Sequence, residues 1–457
     1  MQRLTKITSS IGPRCEDAET LKSMIQAGVN VCRLNFSHDT GDVQGRKIDN
    51  IRKISAELKT PVAVLVDLQG PKHRIGNFET EDKYPLTQGQ TFVFDDDATP
   101  GNSSRVNLPD VDVLTSLSVG DRILLNDGKI EMQVKSVAPG RIEATVIRGT
   151  EIWSRRGFNL PDTDVRTSVL TAKDRVDLEY AITKNPDFVA ISFVQRPEDV
   201  LEVREFITSR TKHPIKIIAK IERPNAVERI SEIIDVADGI MVARGDLAVE
   251  VPFEQVPAIT RRIVRECTAA NKPVIIATQM LGSMVDNEFP TRAEISDVAN
   301  AAYLHADSTM TSEETTVGVN PVNTVGVMSK ILAYADMDAI ENGCGCCECD
   351  ECDFDNNWSC SIADMATLNE AGAIVVFAKD TDVATQIACR KPDMPIIAVC
   401  EDATVANQLV LSRGVRPMLD AKMFADRDAF GAARAFDVAG GSLVIVDGAN
   451  VCLREMD

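Results

Sequence analysis

Three stretches near the middle of the chain carry residue types that could hold a metal and neutralise an anion. In Ile215-Lys216-Ile217-Ile218-Ala219-Lys220-Ile221-Glu222 a strand's period of two puts Lys220 and Glu222 on one face, at the C-terminal end. Gly239-Ile240-Met241-Val242-Ala243 then runs into Arg244-Gly245-Asp246. Glu222 and Asp246 thus end neighbouring strands, where two carboxylates can share one hard cation, Mg²⁺ or Mn²⁺, with substrate oxygens and water. Gly245 lets the backbone approach a ligand closely. Taken singly, these stretches also read as a salt-bridged strand end and a tight turn. Their succession is what points to chemistry.

Such a constellation needs strand ends brought to one face. Residues 7–10, 29–36 and 61–66 read as short apolar strands, with a helical pattern at 18–26, and this βαβ rhythm implies a parallel sheet. From about Gly76 the rhythm changes: 91–94, 122–125, 130–134 and 142–147 are strands with no helix between them, and Asn126-Asp127-Gly128 is a hairpin signal. After Thr171 the first rhythm returns, with strands at 188–193, 215–222, 239–242, 274–277 and 307–311. Three units before the insertion and five after it make eight, the number that closes a barrel with its site at the strands' C-terminal ends. A third region alternates strands at 374–377, 396–399 and 443–446 with helices at 381–390 and 404–412. The expected fold is α/β: an eight-stranded βα (TIM) barrel from residues 1–71 and 166–334, an inserted all-β domain at 72–165, and a C-terminal α/β domain at 335–457.

Composition narrows the partners. At 457 residues the chain needs several cores, and 44% hydrophobic with 26% charged residues is globular usage. A net charge of −20 argues against nucleic acid, whose phosphates attract basic surfaces. No run of about 18 apolar residues predicts a membrane span. No apolar signal core follows Met1-Gln2-Arg3-Leu4-Thr5-Lys6, so the expected location is the cytoplasm. Of the 12 cysteines, six crowd between Cys344 and Cys360. The C-x₂-C spacings there fit a thiolate metal site such as zinc, or an acidic loop whose thiols stay reduced. The other six read as buried thiols.

Six ordered motifs resemble those of pyruvate kinases: Asn35-Phe36-Ser37-His38, Asp67-Leu68-Gln69-Gly70-Pro71-Lys72, Ala219-Lys220-Ile221-Glu222, Met241-Val242-Ala243-Arg244-Gly245-Asp246-Leu247, Ala277-Thr278-Gln279-Met280-Leu281 and Pro290-Thr291-Arg292-Ala293-Glu294. The resemblance runs from Thr5 to about Pro321, with the insertion where the family has one, and returns at Gln408 to Val415. It implies transfer of phosphate from phosphoenolpyruvate to ADP, giving pyruvate and ATP, the last step of glycolysis. It also implies Glu222 and Asp246 as magnesium ligands and Lys220 as stabiliser of the moving phosphoryl and the enolate oxygen. Arg33 is implied to hold the substrate phosphate, and Gly245 and Thr278 to line the substrate site. Asn35, Phe36, Ser37, His38, Arg74 and Arg156 look like the nucleotide contacts. Asn35, Ser37, Asp67 and the Leu68 carbonyl match a monovalent-cation site. Ser312 and Glu314 match a proton relay behind Thr278.

Several positions depart from that pattern. Lys72 stands where potassium-dependent members carry Glu, which implies that K⁺ is not required here. Arg156 replaces the usual Lys and keeps its charge, while Ala248 and Gly282 replace Gly and Glu. Glu313 adds a carboxylate beside the expected relay. Ala378-Lys379-Asp380-Thr381-Asp382 replaces a Ser/Thr-Gly effector loop, so control by a sugar diphosphate is not expected. The family implies a homotetramer, although the altered C-terminal region leaves a dimer open. Two rivals remain: a metal-dependent lyase or aldolase on a similar barrel, and an inactive homologue that senses metal or redox state through the cysteines.

Overall fold

Eight parallel strands close on one another in chain order: β1 (Lys6–Ser10), β2 (Val31–Asn35), β3 (Ala63–Asp67), β4 (Phe188–Ile191), β5 (Lys216–Ile221), β6 (Gly239–Ala243), β7 (Val274–Ala277) and β8 (Ser308–Thr311). Each pairs with its neighbours in sequence, and β8 returns to β1 with Lys6 opposite Ser308. This computed structural model describes residues 3–163, 165, 168–342, 358–438 and 441–456. The strands fall where periodicity puts them, with small differences that have local causes. The fourth stops at Ile191 rather than 193 because Phe193 takes φ +59°, a left-handed turn that leaves the strand direction.

Strands buried on both sides read as continuous apolar runs, which is why Ala63–Asp67 and Gly239–Ala243 contain hardly a polar residue. Val31, Leu65, Phe188, Ile218, Met241 and Ile275 fill the barrel interior. Val410 and Leu411, from the C-terminal region, close its N-terminal face. The opposite face stays free for polar groups. Thr291-Arg292-Ala293-Glu294, one of the family-like stretches, is a capping box that starts helix Arg292–Tyr303.

The insertion builds a six-stranded sheet and a separate two-stranded pair around Phe92, Phe94 and Phe158. It is not purely β, because Val111–Ser116 forms a short helix. Asn126, Asp127 and Gly128 all have positive φ, as a tight turn twisted with its strands requires, and they join Arg122–Leu125 to Ile130–Ala138.

The C-terminal sheet has five strands rather than three: Val415–Leu419, Ile396–Cys400, Ala373–Ala378, Gly441–Asp447 and Asn450–Met456, in that spatial order. Both additions are edges. Pro417 weakens the strand signal of the first, and the second exposes most of its side chains. Cys15, Cys32, Cys267, Cys389 and Cys400 are buried, with pKa values pushed up by burial; Cys452 is exposed, contrary to expectation. Of the expected cysteine cluster, Cys344 to Cys352 lie outside the described residues. No helix among the described residues is long and apolar enough to cross a membrane.

Candidate active site

Lys220 is the centre of the site. Its ammonium lies 3.0 Å from Glu222 Oε1 and 3.4 Å from Asp67 Oδ1, and donates to Ser192 Oγ at 2.8 Å. Lys220 and Glu222 share a face, as the strand period predicts. Burial alone would depress the Lys220 pKa, but Asp67 and Glu222 outweigh it and hold it above the ordinary lysine value. Lys220 therefore stays a cation. Arg33 reaches the same node from β2, donating Nε to Asp67 Oδ2 at 2.6 Å and Nη1 to Ser10 Oγ at 2.8 Å. Its Nη2 has no partner among the described residues, which leaves a donor for an anion.

Asp67 is fully buried, yet Lys220 and Arg33 overcome that burial and keep its carboxyl below the usual range. Glu222 behaves oppositely. Burial, together with the Asp246 charge, raises its pKa against the pull of Lys220 and the 2.7 Å bond from the Phe193 amide. Two carboxylates that repel across a cleft are what a hard divalent cation relieves. The donors are oxygens without thiolate or imidazole, so Glu222 and Asp246 fit Mg²⁺ or Mn²⁺. Asp246 sits in the first turn of the short helix Arg244–Glu250, which follows β6 directly, and its Oδ1 lies 3.3 Å from Lys72 Nζ. Lys72 thus pairs with Asp246, while Asp67 pairs with Arg33 and Lys220.

Thr278, just past β7, is held in a conformation that β-branched residues avoid. Its φ is +73°, and Gln279 follows at +56°. Two contacts maintain it. The Gly245 amide donates to Thr278 Oγ1 at 2.7 Å, and a Cβ on Gly245 would press to 3.3 Å of that hydroxyl oxygen. Arg244 donates Nη2 to the Thr278 carbonyl at 2.9 Å while forking onto both oxygens of Asp297 at 2.7 Å. The strain turns the Thr278 hydroxyl toward Gly245 at the barrel mouth.

The remaining expected residues are placed as follows. Asn35 and Ser37 lie together, the Ser37 amide donating to Asn35 Oδ1 at 3.0 Å, and His38 is exposed beside them. Phe36 is 1% exposed within the barrel core, its amide donating to the Asp67 carbonyl and its carbonyl accepting from Lys173 Nζ, so its side chain is packing rather than a nucleotide contact. The Leu68 carbonyl accepts from Ser192 Oγ at 2.8 Å. Arg74 and Arg156 lie on two paired segments of the insertion, but the register sets Arg74 opposite Gly157 and Arg156 opposite Ile75, so their side chains leave opposite faces; Arg156 stacks over the Trp153 ring at 4.8 Å. An open groove lined by Lys72, His73, Arg74 and Asp110 lies on the Arg74 side. Glu314 is buried and accepts from the Ser312 and Leu281 amides, but no bond among the described residues links either Ser312 or Glu314 to Thr278. Glu313 is exposed, whereas Glu314 is buried. Ser10, Ser192, Arg244 and Asp297 were not foreseen, since no local pattern marks a residue whose partner lies on another strand or helix.

The chain matches the family model "Pyruvate kinase, barrel domain" over residues 2–325 and "Pyruvate kinase, alpha/beta domain" over 356–452. The chain belongs to the pyruvate kinase family. It is 39% identical to a pyruvate kinase of Methylorubrum extorquens, covering 98% of this chain and 94% of that one. It is also 39% identical to one of Geobacillus stearothermophilus, over 91% of this chain and 71% of that one. Among solved structures, a pyruvate kinase from Cryptosporidium parvum superposes with a TM-score of 0.92 at 31% identity, over 100% of this chain and 96% of the other. Membership makes the chain a phosphotransferase.

Proposed function

We propose that the chain transfers the phosphoryl group of phosphoenolpyruvate to ADP, giving pyruvate and ATP, the closing step of glycolysis in the cytoplasm. One observation carries this reading: Lys220, clasped by Asp67 and Glu222 at the barrel mouth, beside Arg33 with a donor to spare. Phosphoryl transfer needs positioning and charge neutralisation more than covalent help, and these two cations supply both. Arg33 orients the phosphate of phosphoenolpyruvate, and Lys220 neutralises the phosphoryl as it moves and then the enolate oxygen it leaves. When bound, Mg²⁺ or Mn²⁺ on Glu222 and Asp246 adds further positive charge at the transferring oxygens.

Asp67 and Glu222 hold the Lys220 pKa above the ordinary lysine value, which makes its ammonium a weak acid, so we assign the proton that reaches the enolate carbon to another group. We assign that role to the Thr278 hydroxyl, held at the barrel mouth by the Gly245 amide, with Ser312 and Glu314 supplying protons to it through water. Arg74 and Arg156 take the nucleotide phosphates, with Asn35, Ser37 and His38 across the cleft. In this reading residues 72–165 are a lid over the nucleotide, 1–71 and 166–334 the catalytic barrel, and 335–457 the domain through which a homotetramer assembles. Potassium is dispensable because Lys72 provides a positive charge near the substrate phosphate. The test is a coupled assay of pyruvate formation from phosphoenolpyruvate and ADP, with Mg²⁺ and without it. Mg²⁺-dependent pyruvate formation is expected; its absence would sink the reading.

A further inference from the structure

The insertion enters and leaves the barrel on two segments that run side by side. Arg74 bridges Gly157 antiparallel, and the Phe158 amide donates to the His73 carbonyl at 3.0 Å. That register sets Lys72 opposite Asn159; a Cβ on Gly157 would meet Lys72 Cε and Asn159 Oδ1, each at 3.7 Å. Both side chains reach the helix Arg244–Glu250. Lys72 Nζ lies 3.3 Å from Asp246 Oδ1, and Asn159 Nδ2 donates to Glu250 Oε1 at 2.7 Å. Asp246 and Glu250 are four residues apart, so they sit one turn from each other on the same face.

The two links differ in kind. The lysine pair is 29% and 31% exposed, so water screens it and it parts readily. Glu250 and Asn159 are 3% and 9% exposed, and a buried acceptor that loses its donor costs more than a screened ion pair. Glu250 is buried with its second oxygen, Oε2, unpartnered. Burial raises its pKa, opposed by Arg223 and by the Asn159 bond. Nothing in the proposed chemistry uses Glu250.

We propose that Glu250 is a positioning residue for the lid: it holds the exit segment through Asn159 while Lys72, next to it, is free to let go of Asp246. The lid then stays docked when Asp246 turns to a metal. This rests on the reading of residues 72–165 as a nucleotide lid.

Glu250→Ala removes the acceptor, Glu250→Gln keeps one, and Asn159→Ala removes the donor from the lid side, where the barrel's own folding is not at stake. Arg74 is exposed but held extended by its pairing with Gly157, so undocking loosens the two paired segments, and tryptic cleavage at Arg74 should quicken about tenfold in Glu250→Ala and Asn159→Ala and stay near the unaltered rate in Glu250→Gln. The KM for ADP should rise by a similar factor while kcat changes much less. Unchanged cleavage in Asn159→Ala, or a Gln variant as open as the Ala variant, would overturn the inference. The cleavage arm needs no turnover: a protein without phosphoenolpyruvate chemistry whose lid still loosens in these variants would fail the functional reading and uphold the latch.

Discussion

Lys72→Met tests the electrostatics of the site most directly. The Lys72 ammonium lies 3.3 Å from Asp246 Oδ1, and each side chain is about a third exposed. Two unit charges at that distance attract by about 1 kcal/mol in water and about 5 kcal/mol at the effective dielectric of a protein surface. Exposure to that degree pulls the value toward the low end, about 1 kcal/mol. A divalent cation must first break this pair and then bind beside the displaced ammonium. Replacing Lys72 by Met should therefore tighten Mn²⁺ binding to the substrate-free protein by roughly five- to tenfold. Electron paramagnetic resonance of free Mn²⁺ measures this without turnover. Lys72→Glu should tighten it further and make pyruvate formation depend on K⁺. Unchanged or weaker Mn²⁺ binding in Lys72→Met would refute the competition. Strong stimulation of the unaltered protein by K⁺ would refute the substitution of Lys72 for that ion.

Thr278→Ala should slow exchange of the C3 protons of pyruvate with solvent by about a hundredfold, and phosphoryl transfer much less. Thr278→Ser should restore most of the exchange, and an equal loss of both steps in the Ala variant would count against a relay role. Lys6 lies buried in β1, donating to the Val415 carbonyl. Burial, with Arg3 and Arg416, lowers its pKa from 10.5 to about 7 despite Asp336 and Asp307. Between those values the unfolded chain binds a proton that the native protein lacks, so this group's contribution is complete above pH 10.5 and is lost as pH falls toward 7. Lys6→Met should thus gain in thermal stability relative to the unaltered protein at pH 7 and lose that advantage by pH 10. A difference in Tm that does not vary with pH would contradict this.

The sequence by itself was enough for what depends on neighbours along the chain. A period of two put Lys220 beside Glu222, Gly245 and Asp246 followed a buried strand, and Asn126-Asp127-Gly128 announced a hairpin before any strand was paired. The alternation of strand and helix was enough to count eight units, because each obeys a local rhythm. The partners of those residues were not legible. Ser192 is 28 positions from Lys220, Asp297 is 53 from Arg244, and Asp246 is 174 from Lys72. Such pairs exist only because the barrel closes and its strands all end at one face. Tertiary structure also decided that Phe36 is core, that Glu313 faces water, and that Thr278 stands at positive φ. A left-handed threonine opposes its own local preference, and contacts from Arg244 and Gly245, both on the helix that follows β6, hold it there.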